Sequence, residues 1–315
     1  MNNYAYLTLL SSDVYIYYVL ALHDSWLKTK SKYPFYCIIN EAVSDKVKKI
    51  LTASNIEYIY MDTEDITKVL QKSKNISGHL AFFNSTKKLK MFSLDQFDKC
   101  VYVDSDMIIY KNIDHLFDKP AFTAVEDSIT EELDDKYTYF NGMTIFNGGF
   151  FVFEPSKDTY SKMLTDLQNL PDIEEKWKKK SIIYNGWNDQ NILAWYAKDW
   201  LKNPELQLPF TFNYLVAACN YTEYGPKMRN IVIKHFIGDK ISMVNGKKTY
   251  VNYLIYNDWL DYINRINSII TDKKLDLKKL DINLLIKDGE KPIKANPREF
   301  EGDWKLIFDL LGRNK

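Results

Sequence analysis

The stretch Tyr4-Ala5-Tyr6-Leu7-Thr8-Leu9-Leu10, closed by Ser11-Ser12-Asp13, decides the fold class. Seven β-prone residues without a break read as a buried strand, and the polar triplet ends it. Beyond the triplet, Val14, Tyr17, Tyr18, Ala21 and Leu22 recur at the three- and four-residue spacing of one helical face, with Ser12 or Asp13 as the N-cap. Phe35 to Ile39 repeats the strand signal. Ser44 then opens a helix whose inner face is Val47, Ile50 and Leu51, and Ile56 to Met61 reads as a third strand. This β-α-β-α-β order predicts an α/β fold with a mostly parallel central sheet, helices on both faces, and ligands bound outside the carboxyl ends of the strands.

Working outward, Leu89, Phe92 and Phe97 suggest a helix that leads into the apolar run Lys99-Cys100-Val101-Tyr102-Val103, which stops at Asp104-Ser105-Asp106. Two carboxylates one residue apart at the mouth of a buried strand repel each other and resist desolvation unless positive charge lies between them. No basic residue lies within the tripeptide, so a divalent cation is the leading interpretation; an Asx-type turn in which Asp104 caps the next segment is the structural one. His235, ending the run Ile231 to Phe236, would add a nitrogen ligand. In Asn147-Gly148-Gly149, before the strand-like Phe150 to Phe153, two glycines either admit a close backbone approach or mark a β-bulge. Ser156 to Leu170 reads as a helix, and Asp189-Gln190 fall in the first turn of another, where a carboxylate is also a routine cap. Lys88 is either a phosphate-neutralising lysine or an exposed helix residue. Trp187, Trp195 and Tyr214 either stack on sugar rings or fill the core.

Composition narrows the classes. The chain has 315 residues, 46% hydrophobic and 27% charged, enough for one large domain and at most two. Lys plus Arg and Asp plus Glu both total 42, and this balance argues against nucleic-acid binding, which wants a basic excess. The three cysteines, Cys37, Cys100 and Cys219, form no CxxC pattern. Without a leader-like start or an apolar run near the roughly 20 residues a membrane span needs, the chain reads as cytoplasmic, and the sequon-like Asn84-Ser85-Thr86 as a chance match. The basic run Lys176 to Lys180 reads as a solvated helix end. From about Asn257 the pattern is helical and charged, broken by Pro292 and Pro297, which divides the chain into a domain over 1–256 and a mainly helical C-terminal extension over 257–315.

Taken in order, these segments resemble the family 8 retaining glycosyltransferases and, within them, the glycogenin-like branch. The likeness spans roughly Tyr4 to Gly238. It is carried by Ser11-Ser12-Asp13-Val14-Tyr15, Thr86-Lys87-Lys88-Leu89, Cys100 to Asp106, Asn112-Ile113-Asp114-His115-Leu116-Phe117, Phe146 to Ser156, Asp189-Gln190, Leu208-Pro209-Phe210 and His235-Phe236-Ile237-Gly238. The resemblance implies a GT-A (Rossmann-like) fold, a Mn2+ ion with Mg2+ as the alternative, and a UDP-hexose donor. By position it implies Asp104, Asp106 and His235 as metal ligands. Leu9, Ser11, Ser12, Tyr15, Lys88, Asp104, Ser105, Gly238 and Lys240 fall to the nucleotide, and Asn147, Asp189, Gln190 and Asp127 surround the transferred sugar.

Three departures qualify the match. After His235-Phe236-Ile237-Gly238 the lysine is displaced to Lys240 and the Pro-Trp pair is absent; His79 stands where the family has an arginine; and Thr222, between Tyr221 and Tyr224, falls near the self-glucosylated tyrosine. The expectation is therefore a metal-dependent retaining transferase that moves glucose or galactose from UDP to a separate saccharide or glycosylated protein acceptor. A homodimer is compatible with it. The alternatives are a self-glucosylating primer, a non-enzymatic UDP-sugar-binding scaffold and a phosphohydrolase of the haloacid dehalogenase kind. That last family wants Thr or Val where Ile108 stands.

Overall fold

The computed structural model describes residues 2–72, 84–126, 146–169, 189–197, 200, 203–216, 230–236, 241–252 and 255–288. In chain order the elements are β1 Tyr4–Leu10, α1 Ile16–Lys28, β2 Phe35–Ile39, α2 Asp45–Ala53, β3 Glu57–Tyr60, α3 Glu64–Lys72, β4 Lys99–Val103, β5 Met107–Ile109, β6 Ala124–Glu126, β7 Phe146–Phe153, α4 Lys157–Gln168, α5 Asp189–Tyr196, β8 Gln207–Leu208, β9 Tyr214–Leu215, β10 Ile233–His235, α6 Ile241–Val244, β11 Thr249–Asn252, α7 Tyr256–Asp272 and β12 Leu285–Asp288.

Seven strands form the central sheet in the order β3-β2-β1-β4-β7-β6-β8. β1 pairs in parallel with both β2 and β4. The chain therefore winds from β1 towards β3 on one side and resumes with β4 on the other, and this reversal opens a crevice at the carboxyl ends of β1 and β4. Ser11 lies on one lip and Asp104 on the other. β7 runs antiparallel to β4, so its first residues meet the end of β4: Val103 is opposite Phe150, and the Asp104 N–H donates to the Gly149 carbonyl at 2.8 Å. In a smaller sheet, β5-β10-β9, His235 is opposite Met107 and the Phe236 N–H donates to the Asp106 carbonyl at 2.9 Å. Two pairings, β4 with β7 and β5 with β10, thus bring three distant parts of the chain to one place.

Apolar side chains cover both faces of the central sheet in two clusters. α1 is buried at every position from Ile16 to His23, more than the one-faced helix that the spacing predicts, because α7 lies on the face turned away from the sheet. α7 belongs to the segment read as a C-terminal extension. Its Tyr262 stacks on Phe236 with ring centroids 4.2 Å apart and on Tyr18 at 6.2 Å, and Trp259, Ile263 and Ile266 join the same core. The helix that contains Asn257 thus props the strand that carries His235.

Local expectations hold at Ser44, whose Oγ accepts the Val47 N–H at 3.4 Å, and at Ser156, which caps α4. At Ser12 and Asp13 the structure differs. A 3-10 turn, Asp13–Tyr15, precedes α1; Ser12 makes no side-chain cap bond, and the Asp13 carboxylate accepts the Ser44 N–H at 2.8 Å, tying the two helix starts together. The helix expected over Leu89 and Phe92 is instead a 3-10 helix, Lys87–Ser93. Cys37 and Cys100 are buried free thiols, and Tyr214 lies in the core. The segment Lys176 to Lys180, Trp187 and Cys219 lie outside the described residues. No helix among the described residues is long and apolar enough to cross a membrane.

Candidate active site

Side chains two apart on a strand project to the same side. Tyr102 in β4 therefore accompanies Asp104 just past the strand's end, and its phenol O–H donates to Asp104 Oδ1. Lys88 Nζ stands 3.3 Å from the same oxygen and 4.7 Å from the centre of the Tyr102 ring. Burial would raise the carboxyl of Asp104, but the charges of Lys88 and His235 and the bonds from Tyr102 and Lys88 outweigh it and hold it below the ordinary carboxylate range. Burial likewise disfavours the Lys88 ammonium, yet Asp104 and Asp189 together push its pKa above the usual lysine value.

Across the turn, Asp106 Oδ1 is 3.2 Å from His235 Nε2. The other ring nitrogen, Nδ1, is 2.9 Å from Oδ1 of Asn213, which is 1% exposed. An amide oxygen only accepts, so this contact places the ring proton on Nδ1 and turns Nε2 towards the acidic pair. One ligand atom each from Asp104, Asp106 and His235 lie within 4.8 Å of one another. The space between them depends on Gly149. A Cβ there would fall 2.7 Å from Asp104 Oδ2 and 2.8 Å from His235 Cε1, inside the cradle. Two carboxylates and an imidazole suit Mn2+, which accepts mixed oxygen and nitrogen ligands.

On the β7 side, Asn147 Oδ1 accepts the Gly149 N–H at 2.9 Å, a bond across two residues. Gln190 Oε1 accepts the Gly148 N–H at 3.1 Å. Asp189, at the start of α5, is buried; its Oδ2 pairs with Lys88 Nζ at 2.8 Å and its Oδ1 accepts the Ser85 hydroxyl at 2.6 Å. Lys88 also donates to the Gly148 carbonyl at 3.0 Å. This lysine, for which exposure on a helix was one reading, is 3% exposed and bridges Asp104 and Asp189.

The remaining predicted residues divide. Leu9 is buried near the end of β1, Ser11, Ser12 and Tyr15 follow at its mouth half-exposed, and Ser105 is buried in the turn. Burial and then the Asp104 charge raise the Tyr15 phenol above its ordinary value. Asp127, Gly238 and Lys240 lie outside the described residues, as do His79, Tyr221, Thr222 and Tyr224. Sequence reading missed Tyr102, Asn213 and Ser85 as parts of the site. The two-residue spacing from Asp104 was a usable signal for Tyr102.

Similarity to known proteins points the same way. The chain matches the pattern described as glycosyl transferase family 8 over residues 6–240. It is 25% identical over 249 residues to glycogenin-1 of Mus musculus, covering 76% of this chain and 65% of that protein. It is 29% identical over 225 residues to galactinol synthase 1 of Solanum lycopersicum, covering 68% and 65%. The chain thus spans just under two thirds of the length of these relatives. Among solved structures, the galactosyltransferase LgtC, in complex with donor and acceptor sugar analogues, superimposes with a TM-score of 0.50 at 17% identity, covering 75% of this chain and 87% of LgtC. The shared architecture is the GT-A fold.

Proposed function

The chain belongs to glycosyl transferase family 8, and on that premise we propose that it is a metal-dependent retaining transferase that moves a hexose, glucose or galactose, from UDP to a separate saccharide or glycosylated protein acceptor in the cytoplasm. The observation that carries this reading is the convergence of Lys88, Asp104, Asp106, Asp189 and His235 at the carboxyl ends of β1 and β4. It is the crevice where such sheets bind nucleotides.

Asp104, Asp106 and His235 would hold Mn2+, with Mg2+ as the alternative, and the cation supplies positive charge against the phosphate oxygens as UDP departs. Leu9, Ser11, Ser12, Tyr15 and Ser105 form the uridine side, and Gly238 and Lys240 are assigned to the diphosphate by family position. Lys88 keeps its proton between Asp104 and Asp189 and so spans the phosphate and sugar ends of the donor. Asn147, Asp189 and Gln190 face the sugar, with Asp127 assigned there by position, and Asp189 is the group whose loss would cost most on that side. A separate acceptor is supported by the lack of a clean counterpart to the family's self-modified tyrosine, near whose position Thr222 falls.

The test is UDP release from a panel of UDP-sugars with Mn2+, with and without EDTA. The reading expects release from UDP-glucose or UDP-galactose that EDTA abolishes. A folded protein that releases UDP from no donor would refute it.

A further inference from the structure

At the amino end of β4, a cleft of about 470 Å³ lies among the loop that leads into that strand, the turn before β6 and the residues that follow β7. That volume falls within the range of small-molecule sites. Asp98 lines it, and six steps of extended chain, about 20 Å, separate Asp98 from Asp104, so the cleft is distinct from the crevice. Its wall combines the rings of Phe92, Phe97 and Phe122 with the carboxylates of Asp95, Asp98 and Glu154. Each acid already has a partner. Asp95 Oδ2 pairs with Lys157 at 2.7 Å, Glu154 Oε1 with Lys99 at 3.2 Å, and Asp98 Oδ2 accepts the Asn3 backbone N–H at 2.7 Å. With two of the three charges matched, the wall does not call for a cation, and the second oxygen of each acid remains an acceptor. Phe122 is the costly member. The Thr123 N–H donates to the Pro120 carbonyl at 3.3 Å, which makes Phe122 the third residue of a turn, and its φ there is 64°. That position favours Gly or Asn, and a bulky residue in it is strained. The Phe122 ring lies against Phe92 with centroids 6.1 Å apart and stays half-exposed at the cleft.

Taking the ligand class from the transferase reading above, we propose that this cleft is a saccharide-binding site separate from the crevice, which grips a neutral hexose chain of the acceptor. A pyranose has an apolar C–H face and a rim of hydroxyls. The Phe122 ring offers a flat apolar surface to the first, and the unengaged carboxylate oxygens accept from the second. A chain held here stays at high effective concentration around the enzyme, so long acceptors gain from the site and single hexoses do not.

The test is calorimetry of the full chain with maltoheptaose and with a galactose oligomer of equal length, in EDTA and without nucleotide, for the wild type, Phe122→Leu and Glu154→Ala. Phe122→Leu keeps an apolar group against Phe92 and the same backbone but removes the aromatic face; Glu154 is exposed, so its loss leaves the core untouched. The wild type should bind at least one of the two oligomers. Phe122→Leu should bind it about tenfold more weakly, the scale of one aromatic contact, and Glu154→Ala about fivefold, the scale of one hydrogen bond. UDP affinity with Mn2+ should stay within about twofold in both variants, because distant sites act independently. A wild type that binds neither oligomer, or a variant that binds as tightly as the wild type, overturns the inference. So does displacement of the oligomer by UDP with Mn2+, which would put it in the crevice, or a parallel loss of UDP affinity in Phe122→Leu, which would make the ring structural. A wild type that binds the oligomer through Phe122 yet releases UDP from no donor sustains the site and refutes the transferase reading alone.

Discussion

Asp104 and Asp114 sit at opposite ends of the central sheet, and they are held in different ways. Asp114, towards the amino ends of β1 and β2, accepts from the Tyr6 hydroxyl at 2.8 Å, the Ser31 hydroxyl, the Lys32 backbone N–H at 3.1 Å and the Asn112 amide at 3.2 Å. Those four donors are neutral, one from β1 and three from loops, and they satisfy the carboxylate within the fold. Asp104 is held by an ammonium and a phenol and stands within ligand distance of a second acid and a histidine, against a glycine that leaves space. Both carboxyls lie below the ordinary range, so a depressed pKa alone does not separate them. What separates them is company. Neutral donors that saturate an acid mark structure, whereas charges of both signs around a cleft mark chemistry.

The largest break in this contrast should come from Asp106→Ala. Removing one of three ligands should cut UDP release from the preferred donor by about a thousandfold, since a positioned dication is worth several kcal/mol in the transition state. The melting temperature should move less than in Asp114→Asn. Next in size is Gly149→Ala. Its Cβ would press on Asp104 Oδ2 and His235 Cε1 from under 3 Å, and Mn2+ affinity, measured by calorimetry without any sugar, should fall about a hundredfold, on the scale of displacing the shell around a metal. Gly148→Ala, with its nearest contacts at 3.3 Å, should cost clearly less. Asn213→Ala frees the His235 ring and should weaken Mn2+ about tenfold, the low end of outer-shell effects. Unchanged Mn2+ affinity in both Gly149→Ala and Asn213→Ala would mean that the trio holds no ion.

How far the sequence discloses this contrast follows from distance along the chain. β1 to β3 are legible because each is a short apolar run between cap signals, and the crevice follows from their order. Asp104 and Asp106 are legible because a strand end aims them, and Asp189 because a helix start does. Ser85 and Asn213 are not, since their partners lie 104 and 22 residues away and a lone serine or asparagine in a turn carries no periodic signal. The lysine turn misleads for a related reason. Lys87 reaches Glu41 at 3.1 Å and Lys88 reaches Asp189 at 2.8 Å. Both lysine side chains are buried and reach acids far along the chain, Glu41 in the turn after β2 and Asp189 at the start of α5, and the turn tightens to 3-10 although the apolar spacing of Leu89 and Phe92 suits an α-helix. α7 is read as charged and helical, and its helicity is correct, but only packing reveals that its apolar face props the histidine strand.

The smallest functional effect and the clearest structural one should come from Asp114→Asn. The amide keeps one acceptor oxygen, and its NH2, standing where Oδ2 receives the Lys32 N–H and the Asn112 amide, sets donor against donor, which should cost about 2 kcal/mol of stability. For a chain of this size that is a fall of about 3 °C in melting temperature. UDP affinity should not change, because the knot lies at the far end of the sheet. The pH dependence gives the sign. Burial raises the Asp114 carboxyl, but the bonds from Ser31, Lys32, Tyr6 and Asn112 outweigh it, so the folded pKa lies below the unfolded one. The stability it contributes is then complete above the unfolded value of about 3.9 and drains away as pH falls towards the folded one. The gap in melting temperature between wild type and Asp114→Asn should therefore be constant from pH 7 to about 5 and narrow below about 4. A gap that persists unchanged to low pH would show that the lost packing, and not the carboxylate's four bonds, sets the stability. A loss of UDP affinity in the same variant would erase the distinction between the two ends of the sheet.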